Sequence, residues 1–260
     1  MDVFELKQIQ PLLQIIIKAL VKAVGSDTRQ YILDSNLDTN NALTQLPGDF
    51  LNTNLRDMIL DESVERKHFK RCTWTGHLLI DREYKVTISI LAKGTLRRNK
   101  KKRGRKNPYY LQSLCFVENG DLEAPYKQMN LGDFIDGFEP LFSDEVYEQD
   151  FNSIMANAVN QREGFRHCVI VYEKEHFELT HISFMILDKD LDIVQECSLM
   201  ELLQPDFETL TASAVQDEKN EKRDAHNLVK VKAGVKSKNA SEPEQKTEIV
   251  PKQEEGKKQT

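Results

Sequence analysis

The stretch Val86-Thr87-Ile88-Ser89-Ile90 decides the fold class, because β-branched apolar residues alternate along it with small hydroxyl residues. Side chains of a β-strand point alternately to the two faces of a sheet, so this pattern predicts a strand with one buried face within residues 83–96. Residues 72–80, immediately upstream, are also rich in Thr, Leu and Ile and predict a second strand. Asp81-Arg82 between the two segments favours a tight turn, which would pair the strands antiparallel.

Further strands are predicted downstream, so that the sheet would begin near Arg71 and contain five or six strands. Asn119-Gly120 would end the first of them, and a turn near Glu175-His176 would join the two strongest. The predicted segments cover about residues 109–118, 165–174, 177–187 and 191–196.

Helices are predicted before and within this sheet. A short amphipathic helix is expected over about residues 49–61, and a small one over residues 197–204. The mid-chain helix over residues 143–160 begins with Ser143, a favourable N-cap residue, and carries acidic residues in its first turn. Acidic side chains at this end of a helix complement the positive end of its dipole.

Residues 3–24 predict a longer helix, whose apolar surface is too broad for a helix that faces water on one side. Gly25 would end this helix. One interpretation is a core helix docked on the sheet. The alternatives are an oligomer or partner contact, and an interfacial membrane helix in which Lys18 and Lys22 would meet anionic lipid.

The composition divides the chain at about residue 215. We expect a single α+β domain over residues 1–215, with a helical part (1–62) and a sheet-containing part (63–215). In it, the N-terminal and mid-chain helices pack on an antiparallel sheet. Residues 216–260 contain no aromatic residue and are dominated by Lys, Glu and Gln. Such a segment cannot bury enough apolar surface to offset its ordering entropy, which predicts a disordered charged tail.

The cysteines and the N-terminal residues indicate in which cellular compartment the protein is expected. Cys72, Cys115, Cys168 and Cys197 are widely spaced and never form a Cys-x-x-Cys pair, so we expect buried free thiols in a reducing environment and no zinc site. No motif indicates a cofactor. The N-terminus lacks the cationic region of a secretory signal, and no run approaches about 18 uninterrupted apolar residues, so we expect no membrane-spanning helix. These features favour an intracellular protein: cytoplasmic, nuclear in a eukaryote, or internal to a virion.

Basic residues are concentrated in residues 97–106, which we call the basic segment. Eight of its ten residues are basic and none is acidic, while the whole chain has a net charge of −6, so the other residues sum to −6 − 8 = −14. Between two predicted strands, the segment would form the tip of an extended antiparallel hairpin. The basic residues are Arg97, Arg98, Lys100, Lys101, Lys102, Arg103, Arg105 and Lys106.

A dense cationic segment attracts phosphate groups, and the release of counterions from nucleic acid makes such binding strong at low salt. Tyr109 and Tyr110 follow Pro108 and could stack on an unpaired base. No base-reading motif accompanies them, so we expect non-specific contact with DNA or RNA. Another acidic surface, a nuclear import signal and a solvated loop remain open as alternatives.

The leading hypothesis is therefore a non-enzymatic accessory protein that contacts nucleic acid through the basic segment. The second is an assembly or interaction protein, such as a phage, virion or mobile-element component, that forms homo-oligomers or binds a protein partner through residues 3–24.

The third hypothesis is a metal-dependent nuclease that would use the Glu-x-Lys pattern of Glu83 and Lys85. Apart from this pattern, no catalytic or metal-binding residue is indicated. His167 and Cys168 are consecutive on a predicted strand and would point to opposite faces, which argues against a Cys–His catalytic pair and favours ordinary sheet residues.

Overall fold

The computed structural model describes residues 4–35, 41–71, 74–101, 105–126, 142–160 and 163–203, with only the backbone of Asn41, Ala42 and Lys101. The backbone divides into two units at Thr209, and every described residue belongs to the first. The predicted domain boundary near residue 215 and the predicted disordered tail over residues 216–260 lie outside the described residues.

The described residues form one six-stranded sheet whose strands are arranged in the order in which they occur along the chain. Neighbouring strands pair antiparallel, except that the third and fourth pair parallel. The predicted α+β class with an antiparallel sheet of five or six strands is confirmed, with this one parallel pair as the exception. The strands are β1 (Val64–Arg71), β2 (Trp74–Asp81), β3 (Val86–Ala92), β4 (Arg166–Glu175), β5 (Glu178–Leu187) and β6 (Ile193–Ser198).

Six α-helices lie among the described residues and pack on both faces of the sheet. A parallel strand pair needs a long crossover connection, and the chain between β3 and β4 provides it with the last three of these helices. The helices are α1 (Gln10–Lys22), α2 (Thr28–Ser35), α3 (Leu46–Met58), α4 (Lys93–Lys101), α5 (Tyr110–Glu118) and α6 (Asp144–Met155).

Two sequence-based predictions in this crossover are wrong. Residues 109–118 form helix α5 rather than a strand, and the basic segment begins inside helix α4 rather than at the tip of a hairpin. A short apolar run has no clear period, so it fits a buried strand as well as a buried helix. The structure has a helix here, and at its start the backbone N–H of Tyr109 donates a hydrogen bond of 3.2 Å to Oε1 of Gln112.

The N-terminal helix continues beyond the predicted end at Gly25. A π-helical turn, Ala23–Asp27, joins α1 to α2 without a break, and Thr28 Oγ1 donates a hydrogen bond of 2.6 Å to the carbonyl of Ala23 there. The first strand, β1, lies before the expected start of the sheet near Arg71 and was not predicted. Of the predicted helix over residues 197–204, a 3-10 turn, Met200–Leu202, is present.

Two hydrophobic cores lie on opposite faces of the sheet. In the first core, Leu13, Ile16 and Leu20 of α1 are fully buried together with residues of β3, β4 and β5. Each such side chain contributes about 1.5–3 kcal/mol to the free energy of unfolding. In the second core, α5 and α6 cover the other face, where Leu114 and Phe151 are fully buried. Both the N-terminal and the mid-chain helix pack on the sheet, as predicted.

The helical segment Leu6–Ser35 is long and apolar enough, by length and composition, to cross a membrane. In its most apolar window, 56% of the residues are buried inside the protein. The core helix of a soluble protein has the same properties, so this segment alone is weak evidence for a membrane span. Most apolar side chains of α1 lie in the first core, so a partner could reach those only if the helix left the sheet.

Candidate nucleic-acid interface

Helix α4 has one side against the protein and the other towards solvent. Leu96 is buried in the second core. Lys93 Nζ lies 3.1 Å from Glu173 Oε1, and Lys100 forms an ion pair with Asp192. The three anchoring residues of α4 are spaced three and four positions apart, so they share one face of the helix. These contacts fix the orientation of α4 on the sheet.

Two exposed arginines of α4 lie outside these contacts, Arg98 opposite the anchored face and Arg97 beside it. Arg97 and Arg98 are both exposed, and neither forms an ion pair with another described residue. Lys106, beyond the helix, is exposed and unpaired within the same ranges. The C-terminal end of a helix has a partial negative charge, so attraction for phosphate here must come from the side chains.

Arg105 joins the basic segment to the start of α5. Its Nη2 atom donates hydrogen bonds to the carbonyl oxygen and to Oδ1 of Asn99, at 2.9 and 2.8 Å. Its guanidinium carbon lies 5.0 Å from the ring centroid of Tyr109, a cation–π distance. Arg105 therefore has a structural role in addition to its charge. The remaining predicted contacts, the side chain of Lys101 and all of Lys102 and Arg103, lie outside the described residues.

The two tyrosines predicted to stack on a base are packed within the protein. Tyr110 is buried, with its ring centroid 5.3 Å from that of Phe69 and 4.7 Å from that of Tyr109. Burial raises the pKa of both phenols, and the backbone N–H of Tyr109 donates a hydrogen bond of 3.2 Å to Oε1 of Gln112 in α5. The structure thus does not present the ring of Tyr110 to a base.

Trp74 is the exposed aromatic residue of this region. Half of its surface (50%) is exposed, and its ring centroid lies 5.5 Å from that of Tyr110 and 5.6 Å from that of Phe69. Sequence reasoning missed Trp74 as a site residue, because the strand pattern of residues 72–80 accounts for it as a core residue. The sequence did offer one signal, because Trp74 is the only tryptophan of the chain.

Arg71, Ser113 and Asp150 hold the surrounding elements together. Arg71 lies opposite Trp74 in the β1–β2 ladder and donates a hydrogen bond of 2.7 Å to the carbonyl of Pro108. Its guanidinium also pairs with Asp150 of α6, which accepts a further hydrogen bond from Ser113 of α5. Since Asp150 neutralises Arg71, this arginine serves as an anchor of the interface rather than as one of its free charges.

Comparison with known proteins gives a family. Residues 6–252 match the model described as "Family of unknown function (DUF5986)". The chain belongs to this family. Neither a curated protein nor a solved structure matches it. The family description names no activity, so function in this DUF5986 chain has to be argued from its residues.

The Glu-x-Lys pattern of the nuclease hypothesis lies in the turn between β2 and β3. Oδ1 of the buried Asp81 accepts hydrogen bonds from the backbone N–H groups of Glu83 and Tyr84, at 3.0 and 3.1 Å, so this carboxylate shapes the turn. Lys85 donates to the carbonyl of Glu163 at 3.2 Å. Within the ranges that the structure describes, no group of three or more His, Cys, Asp or Glu side chains could hold a metal ion.

His167 is the centre of a buried polar network that sequence reasoning treated as ordinary sheet residues. Its Nδ1 atom lies 2.7 Å from Thr87 Oγ1 and 3.4 Å from Glu118 Oε2, and its Nε2 atom lies 3.1 Å from Ser89 Oγ. The backbone of His167 forms two further hydrogen bonds with the Asn119 side chain. All of these side chains are buried, so the network binds α5 to the sheet and is closed to a ligand.

The described cysteines are free, as predicted, and Cys115 and Cys168 are buried. Burial raises the pKa of both thiols, and the nearby Glu118 carboxylate raises it further. Cys168 lies in the first core and Val169 in the second, which confirms the alternation of faces that separates Cys168 from His167. Neither thiol is placed for nucleophilic chemistry, because the reactive thiolate is disfavoured at both.

Proposed function

We propose that this protein is a non-enzymatic accessory protein that contacts nucleic acid non-specifically through the basic segment. The observation that carries this proposal is that Arg97 and Arg98 are exposed and form no ion pair with another described residue, on a helix that Leu96 fixes to the core. The protein keeps these charges together although its net charge is −6 and acidic side chains are numerous.

The fixed position of α4 favours binding over simple solvation. The anchors at Lys93, Leu96 and Lys100 hold the backbone, so binding needs to order only the side chains of Arg97 and Arg98. Lys106, at the end of the basic segment, adds another exposed positive charge. Each phosphate that such a surface neutralises releases counterions, which supplies most of the free energy of non-specific binding.

These residues do not predict recognition of a particular base sequence. Specificity needs side chains that reach base edges in a groove, whereas the free groups described here are charges suited to phosphate. The choice between DNA and RNA is therefore left to experiment.

The test is binding of mixed-sequence DNA and RNA oligonucleotides to the full chain, followed by fluorescence anisotropy of the labelled oligonucleotide over a salt series. The variant Arg97→Gln/Arg98→Gln/Lys106→Gln removes three exposed charges. Its control, Lys7→Gln/Lys18→Gln/Lys189→Gln, removes three exposed charges elsewhere. If three phosphate contacts are lost, the slope of log K against log salt becomes shallower by about 2 for a single strand, because each contact contributes about 0.7.

Equal binding by the variant and the wild type would overturn the proposal, as would the absence of binding by the wild type at low salt. Equal losses in the variant and in the control would show that only the total charge matters, and would also contradict a defined interface.

A further inference from the structure

The exposure of Trp74 needs an explanation, because tryptophan is highly buried on average. Half of its surface faces solvent, at the start of β2. The other half rests on the rings of Phe69 and Tyr110, at 5.6 and 5.5 Å between centroids. An indole held from behind in this way offers a flat aromatic surface to solvent.

The glycine two residues further along β2 makes this packing possible. A Cβ atom added to Gly76 would lie 2.2 Å from Cζ of Phe69, so the phenyl ring lies directly over the Gly76 backbone. Trp74 and Gly76 share one face of the strand, and Phe69 fills the space above Gly76 and supports the edge of the indole. We call Phe69, Trp74 and Tyr110 the aromatic platform.

A continuous series of contacts joins the aromatic platform to the basic segment. From Tyr110 the contacts pass to Tyr109 at 4.7 Å between centroids, and from Tyr109 to the guanidinium of Arg105 at 5.0 Å. Arg105 in turn donates two hydrogen bonds to Asn99 of α4, the residue that follows Arg97 and Arg98. A series of side-chain contacts, part of it buried, therefore joins the exposed indole to Asn99, which lies next to Arg98 in α4.

A cationic surface beside an exposed aromatic ring is the combination that binds single-stranded nucleic acid, in which phosphates pair with the cations and an unstacked base lies on the ring. In a duplex the bases are paired and stacked, so none is free to cover an indole on the protein surface. Resting on the proposed function, we infer that Trp74 is the base-stacking residue and that the preferred ligand is single-stranded rather than double-stranded nucleic acid.

The test uses the fluorescence of Trp74, which reports on this position alone because the chain contains no other tryptophan. Oligothymidylate of about 12 nucleotides, within the range of site sizes known for single-strand binding proteins, is added to the full chain at low salt. Stacking of a base on the indole quenches its emission. A self-complementary duplex of the same length serves as the comparison, and we expect it to bind more weakly and to leave the emission unchanged.

Variants separate stacking from charge. Trp74→Ala should weaken binding of the oligothymidylate about tenfold, with an unchanged salt slope, because it removes a stacking surface and no charge. Trp74→Phe should retain part of the affinity, because it keeps an aromatic face. Circular dichroism of both variants monitors the fold, which we expect to persist, since the indole is half exposed.

The outcomes distinguish this inference from the proposed function. If oligothymidylate binds with a steep salt dependence, but without quenching and without loss in Trp74→Ala, the stacking inference is overturned and the phosphate interface remains. Tighter binding of the duplex than of the single strand would overturn it as well. If no nucleic acid binds at low salt, the proposed function itself fails.

Discussion

Substitution of Gly76 by alanine gives the most direct test of the aromatic platform. The added Cβ atom would lie 2.2, 2.5 and 2.7 Å from three atoms of the Phe69 ring, far inside van der Waals contact. Phe69 is buried and confined by Trp74 and Tyr110, so the ring can give way only if its neighbours move as well.

The magnitude follows from two opposing effects. Overpacking of a confined site costs about 1–3 kcal/mol. Replacement of a glycine stabilises by about 0.4–1 kcal/mol, because the unfolded chain loses conformational freedom. The overpacking is the larger effect, so we expect the free energy of unfolding to fall by about 1–2 kcal/mol. With a urea dependence of about 2 kcal/mol/M, the midpoint should decrease by about 0.5–1 M.

The assay is urea unfolding followed by far-UV circular dichroism, with the near-UV spectrum of the native state as a report on the packing of Trp74. Gly94→Ala and Gly48→Ala are matched controls, because a Cβ atom at either position meets nothing within 4 Å. Both glycines lie in helices, where alanine is the better residue, so neither control should unfold at a lower urea concentration.

A rescue variant makes the test specific for the clash. In the Gly76→Ala background, Phe69→Leu removes the atoms that the new methyl group meets, so the combined loss should be smaller than the sum of the two separate losses. The reasoning would be refuted if Gly76→Ala unfolded at the wild-type midpoint with an unchanged near-UV spectrum, because the ring would then not be confined as described.

Other predictions concern titration, metal dependence and thiol reactivity. Burial and the neighbouring ring of His68, at 4.3 Å between ring centroids, lower the pKa of His77. Below about pH 6.5 the unfolded chain therefore binds more protons than the folded chain, so the free energy of unfolding should decrease as the pH falls below this value and be retained above it. His77→Gln should reduce this loss when urea midpoints at pH 7 and pH 5 are compared, and an unchanged pH dependence would contradict the assignment. With magnesium we expect no cleavage of DNA or RNA; cleavage that disappears in Glu83→Ala would establish the nuclease alternative instead. Cys115 and Cys168 should resist alkylation in the folded chain and react after unfolding, as mapped by mass spectrometry. If either thiol in the folded chain were labelled as fast as the thiol of a short peptide, its surroundings would have to open readily.

Local sequence patterns were sufficient for much of the fold. The alternation in Val86-Thr87-Ile88-Ser89-Ile90 and the turn near Glu175-His176 located β3 and the β4–β5 hairpin correctly. The broad apolar surface of residues 3–24 indicated a helix buried in the core, as α1 is. Such features depend on neighbours in sequence, which is why they can be recognised without the tertiary structure.

The candidate site was only partly predictable. The density of positive charge in residues 97–106 is a property of composition and is evident from the sequence. The helical conformation of α4 was missed, because the expected strand over residues 109–118 implied a hairpin with the charges at its tip. That expectation failed because a short apolar run is compatible with either conformation, and its packing in the second core depends on residues far away in the chain.

The sequence by itself determined the α+β class, the local periodicity of the long helix and of several strands, and the concentration of charge in the basic segment. Only the tertiary structure decided that β3 and β4 pair parallel, that Arg97 and Arg98 face solvent while Leu96 faces the core, and that Trp74 rests on Tyr110. Periodicity and charge are set by residues close together in the chain. The position of Trp74 depends on a helix that begins far along the chain and is placed by packing against both β1 and α6, and no local pattern encodes such long-range contacts.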